Sequence, residues 1–111
     1  IIAGYANMAM DIDHARSAIL QKPDNAKHVC KWIGRRIVRA GLAICIDRDQ
    51  RYSPDLWPCY CVFRDWYPDR AQDMLTALEM AVGDNPDVQI GLQLLDGLGR
   101  WISQEAHQKC R

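Results

Sequence analysis

The chain has 111 residues, 49% of them hydrophobic and 25% charged, with 14 basic and 14 acidic side chains. This size and balance fit one packed domain over residues 1–111 and exclude a disordered chain. They also exclude a bilayer-spanning helix, because no apolar run approaches the roughly 18–20 residues required, and they supply no overall positive charge to draw the chain to a polyanion. The sequence begins at Ile1, as a processed or trimmed product would. Its cysteines, Cys30, Cys45, Cys59, Cys61 and Cys110, are odd in number and irregular in spacing. That is a poor match to a disulfide framework and favours reduced thiols and a cytoplasmic setting.

The first segment carries Ile2, Tyr5, Met8, Ile12, Ala15, Ile19 and Leu20 at intervals of three and four, which predicts a helix, with Asp11 or Asp13 able to restart or cap it. Pro23-Asp24-Asn25 then marks a connection, and Asp24 or Asn25 is expected to cap a second helix from about Ala26 to Ile46. Val29, Cys30, Ile33, Ile37, Ala40 and Ile44 form its apolar side, and Gly41 is a place where it would bend or end. Residues 51–66 are ambiguous. Ser53-Pro54-Asp55 and Pro58 suit a turn followed by a helix beginning near Pro58, whereas Cys59 to Phe63 would also make a strand; a lone strand lacks a partner, so the helix is preferred. Pro68 and Pro86 are each expected at the first position of a further helix. The apolar sides would be Ala71, Met74, Leu75, Leu78 and Ala81 in one, stopped by Gly83, and Val88, Leu92, Leu95, Leu98 and Ile102 in the other. Asp84 or Asn85 would cap the last helix, and Gly97 and Gly99 would either break it or admit a neighbouring backbone. The expected fold is all-α, a compact bundle of about five helices.

Catalytic templates find little. There is no glycine-rich phosphate loop, nucleophile elbow, His-Glu-x-x-His or dinucleotide fingerprint. Asp11-x-Asp13-His14 and Asp47-x-Asp49 gather carboxylates, but the run after Asp47 lacks the glycine and terminal glutamate of a calcium loop, and acids that cap helices or sit in a solvated loop explain both. A cysteine nucleophile with His14, His28 or His107 as base is conceivable in composition only. No catalytic residue and no cofactor is assigned, and the chain leans away from being an enzyme. Cys59-x-Cys61 with His107-x-x-Cys110 offers four soft ligands of the kind zinc takes. However, Cys-x-Cys is tighter than the usual ligand spacing, so a small zinc-stabilised domain is an alternative and no metal is assigned.

The second helix has the most regular pattern. Lys27, Lys31, Arg35 and Arg39 recur every four residues, with Arg36 beside them, and no acid lies between Asn25 and Ile46. Residues 69–96 hold six acids against Arg70 alone. Three readings compete: a solvated face pairing loosely with the acidic helices of the same molecule, a face for an acidic partner or a second copy, and a face for nucleic-acid phosphates. The third normally accompanies a basic domain, which this is not. Six aromatic residues between Tyr52 and Tyr67 would either close the core or form a partner-binding patch, the core being preferred. Together these features predict a protein–protein interaction module: an inhibitor, immunity-type protein, adaptor or regulatory subunit. Its contact residues would be Lys27, Lys31, Arg35, Arg36 and Arg39, and its partner an acidic protein surface or a second copy in a homodimer. No membrane partner is expected, and a nucleic-acid-binding regulator is the alternative.

Overall fold

Apolar residues spaced at three and four wind most of residues 8–109 into helices that share one buried core. The structure, a computed structural model, describes the backbone of residues 2–109 and the side chains from residue 4 to residue 109. A 3₁₀ turn, Ile2–Tyr5, precedes helix α1 (Met8–Gln21), and a second, Pro23–Asn25, precedes α2 (Ala26–Ala43). Helices α3 (Leu56–Trp66) and α4 (Ala71–Val82) follow, separated by a 3₁₀ turn at Pro68–Arg70. The last stretch runs as α5 (Val88–Leu94), a π-helical turn (Leu95–Gly99) and α6 (Arg100–Lys109). Because the backbone stays helical through Leu95 and Arg100, these three pieces form one continuous helix and the bundle has five. The architecture is all-α, with no strand among the described residues.

The central element is α2, which packs against α1, α3, α4 and α6. Its side toward the core buries Val29, Cys30, Ile33, Ile37, Val38 and Ala40. Two glycines let neighbours come close. A Cβ on Gly34 would lie 2.9 Å from the Ala77 carbonyl oxygen of α4, and one on Gly41 would lie 2.8 Å from Met74 Cε and 3.1 Å from the Phe63 ring. Gly41 therefore does not bend α2 but seats it against α3 and α4. The helix ends at Ala43, three residues earlier than its apolar pattern suggests. Residues 44–48 turn instead, with the Cys45 carbonyl accepting from the Arg48 and Asp49 amides.

Several caps differ from expectation. Asp11 and Asp13 cap nothing; they form ion pairs with Arg36 and Arg100. Asn25 stands at the N-cap of α2 without a side-chain bond, the preceding 3₁₀ turn having already set the backbone direction. In α3, Pro58 occupies the third helical position, where its missing N–H is one of the donors that no helical carbonyl could satisfy. Pro68 opens a 3₁₀ turn rather than α4 itself. Gly83 ends α4 in an extended conformation (φ −73°, ψ 152°), in which a Cβ would sit 2.9 Å from the Glu79 carbonyl oxygen. The last helix is capped by Asp87, not Asp84 or Asn85: its Oδ1 accepts from the amides of Gln89 (2.9 Å) and Ile90 (3.1 Å). Pro86 is thereby left outside the helix, in a buried position.

Candidate interaction surface

The basic residues of α2 divide by what they meet. Arg36 lies on the side toward α1. Its Nε donates to Asp11 Oδ2 at 2.9 Å, its Nη2 donates to the Gly4 carbonyl at 3.2 Å, and its guanidinium stacks 5.0 Å from the Tyr5 ring centroid. It braces the N-terminal turn against α2, with about 32% of its side chain still exposed. Lys27, Arg35 and Arg39 are exposed and Lys31 is partly exposed, and none of the four forms an ion pair among the described residues. At 1.5 Å of rise per residue these four charges form a ridge about 18 Å long.

The other basic side chains are engaged. Arg16 pairs with Asp96, Arg51 with Asp49 and Asp65, Arg64 with Asp65, Arg100 with Asp13 and Lys109 with Asp47. Arg48 lies over the Trp66 and Tyr67 rings, and Arg70 over Trp101. Of the described basic residues, Lys22 alone joins the four on α2 in having neither an ion pair nor an aromatic ring. The acidic stretch from Asp69 to Asp96 does not neutralise the ridge. Among the described residues only Asp96 within it is ion-paired, and to α1.

The ridge runs toward a depression under the loop between α2 and α3. Arg39, Leu42, Tyr52, Ser53 and Cys59 border a hollow of about 220 Å³. Through Leu42, Tyr52 and Ser53 this continues into a larger apolar groove of about 390 Å³ bordered by Trp57, Pro58, Cys61 and Val62. Tyr52 and Trp57 remain 63% and 56% exposed.

The loop itself is tied down. Asp49 accepts from the Trp66 indole N–H at 2.8 Å, from the Arg51 amide at 2.9 Å and from the Arg51 guanidinium at 2.6 Å, and Arg51 reaches on to Asp65 at 3.0 Å. These donors, the Arg51 side chain first, hold the Asp49 carboxyl well below the usual carboxylate range.

The aromatic residues therefore serve both purposes at once. Phe63 and Tyr67 stack at 5.1 Å and meet Trp101 edge-on, with ring centroids 5.9 and 5.0 Å away, closing the core between α3 and α6. Tyr52 and Trp57 instead line the groove.

The proposed zinc ligands have other surroundings. Cys59 is buried, with its thiol donating to the Ser53 carbonyl at 3.3 Å and burial pushing its pKa up. Cys61 is partly exposed and His107 exposed, while Cys110 lies outside the described residues. Among the described residues, no three His, Cys, Asp or Glu side chains gather as a metal ion requires. Cys30, Cys45, Cys59 and Cys61 are free thiols, and burial pushes Cys45 up to about 11. No helix among the described residues is long and apolar enough to cross a membrane.

No protein family, curated protein or solved structure matches this chain, so the surface must be interpreted from its own chemistry.

Proposed function

We propose that this chain is a helical protein–protein interaction module that receives an acidic surface of a partner on the α2 ridge. One observation carries the reading. Among the described residues Lys27, Lys31, Arg35 and Arg39 form no ion pair along one side of one helix, while six other basic residues, among them Arg36 of the same helix, have found acids within the molecule. Complementary charge of this kind sets encounter rate and orientation. A partner that covers it would be an enzyme to be inhibited, a toxin-like protein to be neutralised or a complex to be regulated. A second copy of the chain is the other acidic surface at hand, because residues 69–96 carry six acids. A cytoplasmic setting, where free thiols persist, belongs to the same reading.

The test is charge reversal. Lys31→Glu with Arg35→Glu should abolish co-purification of the partner while leaving the thermal melt within a few degrees of the parent, since neither side chain forms an ion pair among the described residues. Unchanged capture would refute the reading. So would retention on duplex or single-stranded nucleic acid that falls steeply with salt, the mark of phosphate binding.

A further inference from the structure

Acid-lined grooves exist in this molecule, and the one beside the α2 ridge is not among them. The two hollows flanking Ile90, between α4 and α5, are bordered by Asp73 in one and by Glu79 and Asp87 in the other. Among the described residues no acidic side chain lines either hollow that runs from Arg39 to Trp57; the charged residues that do are Arg39 and Arg51, and Asp55 lies outside the lining, near Cys59. Arg51 is already held by Asp49 and Asp65, whereas Arg39 is unpaired and is the last residue of the ridge. A ligand that places carboxylates along Lys31, Arg35 and Arg39 therefore arrives at an apolar hollow walled by Leu42, Tyr52, Trp57, Pro58 and Val62. Tryptophan and tyrosine at such a place are the side chains that most often dominate binding energy.

The loop beside the groove is tethered at both backbone and side chain. Tyr52 follows directly on Arg51, whose backbone and side chain are both fixed to Asp49. Trp57 packs on Tyr60 with ring centroids 5.3 Å apart. The groove is thus formed before anything enters it, which lowers the ordering cost of binding.

We propose that the groove takes one large apolar side chain (tryptophan, phenylalanine or leucine) of an acidic partner segment whose carboxylates lie along α2. The ridge orients the segment and the groove anchors it. This rests on the reading of the ridge given above, and the experiment separates the two.

A random 12-residue peptide library displayed on phage is selected against the full chain. Enriched peptides should combine several Asp or Glu residues with one large apolar residue. A synthetic copy should bind about tenfold or more weakly to Trp57→Ala or Tyr52→Ser, the loss expected for a buried anchor, and should also weaken with Arg39→Glu and with added salt. In ¹⁵N-labelled parent protein, the Trp57 indole N–H signal should shift on titration while that of Trp66, bonded to Asp49, stays in place. This readout does not depend on how the variants fold. Acidic peptides without an anchor, binding Trp57→Ala as well as the parent, would overturn the groove and leave the ridge standing. Apolar peptides without acids, or no enrichment at all, would overturn both. Self-association of the chain that Trp57→Ala disperses would put a second copy in the groove and overturn the partner segment.

Discussion

The closest backbone-to-backbone approach between helices at a glycine is at Gly34, where α2 meets α4, and it predicts opposite signs for one chemical change at two glycines. An alanine Cβ at residue 34 would sit 2.9 Å from the Ala77 carbonyl oxygen, 3.1 Å from the Ala81 amide nitrogen and 3.3 Å from Ala81 Cα. The first distance is about 0.5 Å short of ordinary van der Waals contact, which starts at 3.4 Å. All three atoms are backbone, so no rotamer change relieves the clash and α4 itself must move. Overpacking of this sort costs about 2–3 kcal/mol, and alanine returns about 1 kcal/mol through its helix propensity. Gly34→Ala should thus lose about 1–2 kcal/mol, lowering Tm by roughly 4–8 °C in a chain of this size. At Gly97 a Cβ would meet nothing within 4 Å. There the propensity gain acts alone, and Gly97→Ala should raise Tm by about 2–4 °C. Circular dichroism melts of parent and variants at neutral pH read both changes. Stabilisation by Gly34→Ala would refute the close approach of the two helices.

Three further predictions concern charge and burial. Asp49 has its pKa depressed in the folded chain, so the stability it contributes is full above the ordinary carboxylate value of about 4 and is lost as pH falls through the lower, folded value. Urea titrations should accordingly show Asp49→Asn less stable than the parent at neutral pH, with the gap narrowing below pH 4; a constant gap would deny the carboxylate its role. Neighbouring arginines should separate sharply: Arg36→Ala should cost up to about 1 kcal/mol through loss of Asp11 and Tyr5, while Arg35→Ala should change stability by only a few tenths. Equal effects by chemical denaturation would contradict the division of α2. Cys45 is fully buried with its thiol raised to about 11. At pH 8 it should resist iodoacetamide until the chain unfolds, while the partly exposed Cys61 is modified first among the four described cysteines, as peptide mass spectrometry would report.

Much of the bundle is visible in residue spacing because burial and helical period coincide. Ile33, Ile37, Met74, Leu78, Leu95, Leu98 and Ile102 all face the core, and each falls where the three-and-four pattern puts it. Boundaries follow weaker rules. Asp87 rather than Asn85 caps the last helix, and the difference between those neighbours is a matter of two amide hydrogen bonds. The basic ridge was legible because an i+4 recurrence on one helix places charges on one side whatever the tertiary fold. The fate of Arg36 was not: it depends on Tyr5, Gly4 and Asp11 arriving from a different element. The aromatic residues could not be sorted for the same reason. Phe63 and Tyr67 become core because Trp101, more than thirty residues away in sequence, closes over them, and Tyr52 and Trp57 have no such neighbour.

The π-helical turn at Leu95–Gly99 has a bearing on how the chain tolerates changes in length. A wide turn of this type accommodates one residue more than an α-helical turn, so the faces of α5 and α6 on either side keep the phase they would have without it. Removing a residue from an ordinary helix swings everything downstream by about 100° and would carry Ile102 and Ala106 out of the core. Removing Gly97 would instead restore a regular turn and leave both faces in place. The last helix therefore holds a spare residue within its length, where a deletion should behave as a mild substitution rather than as a frameshift of the whole helical face.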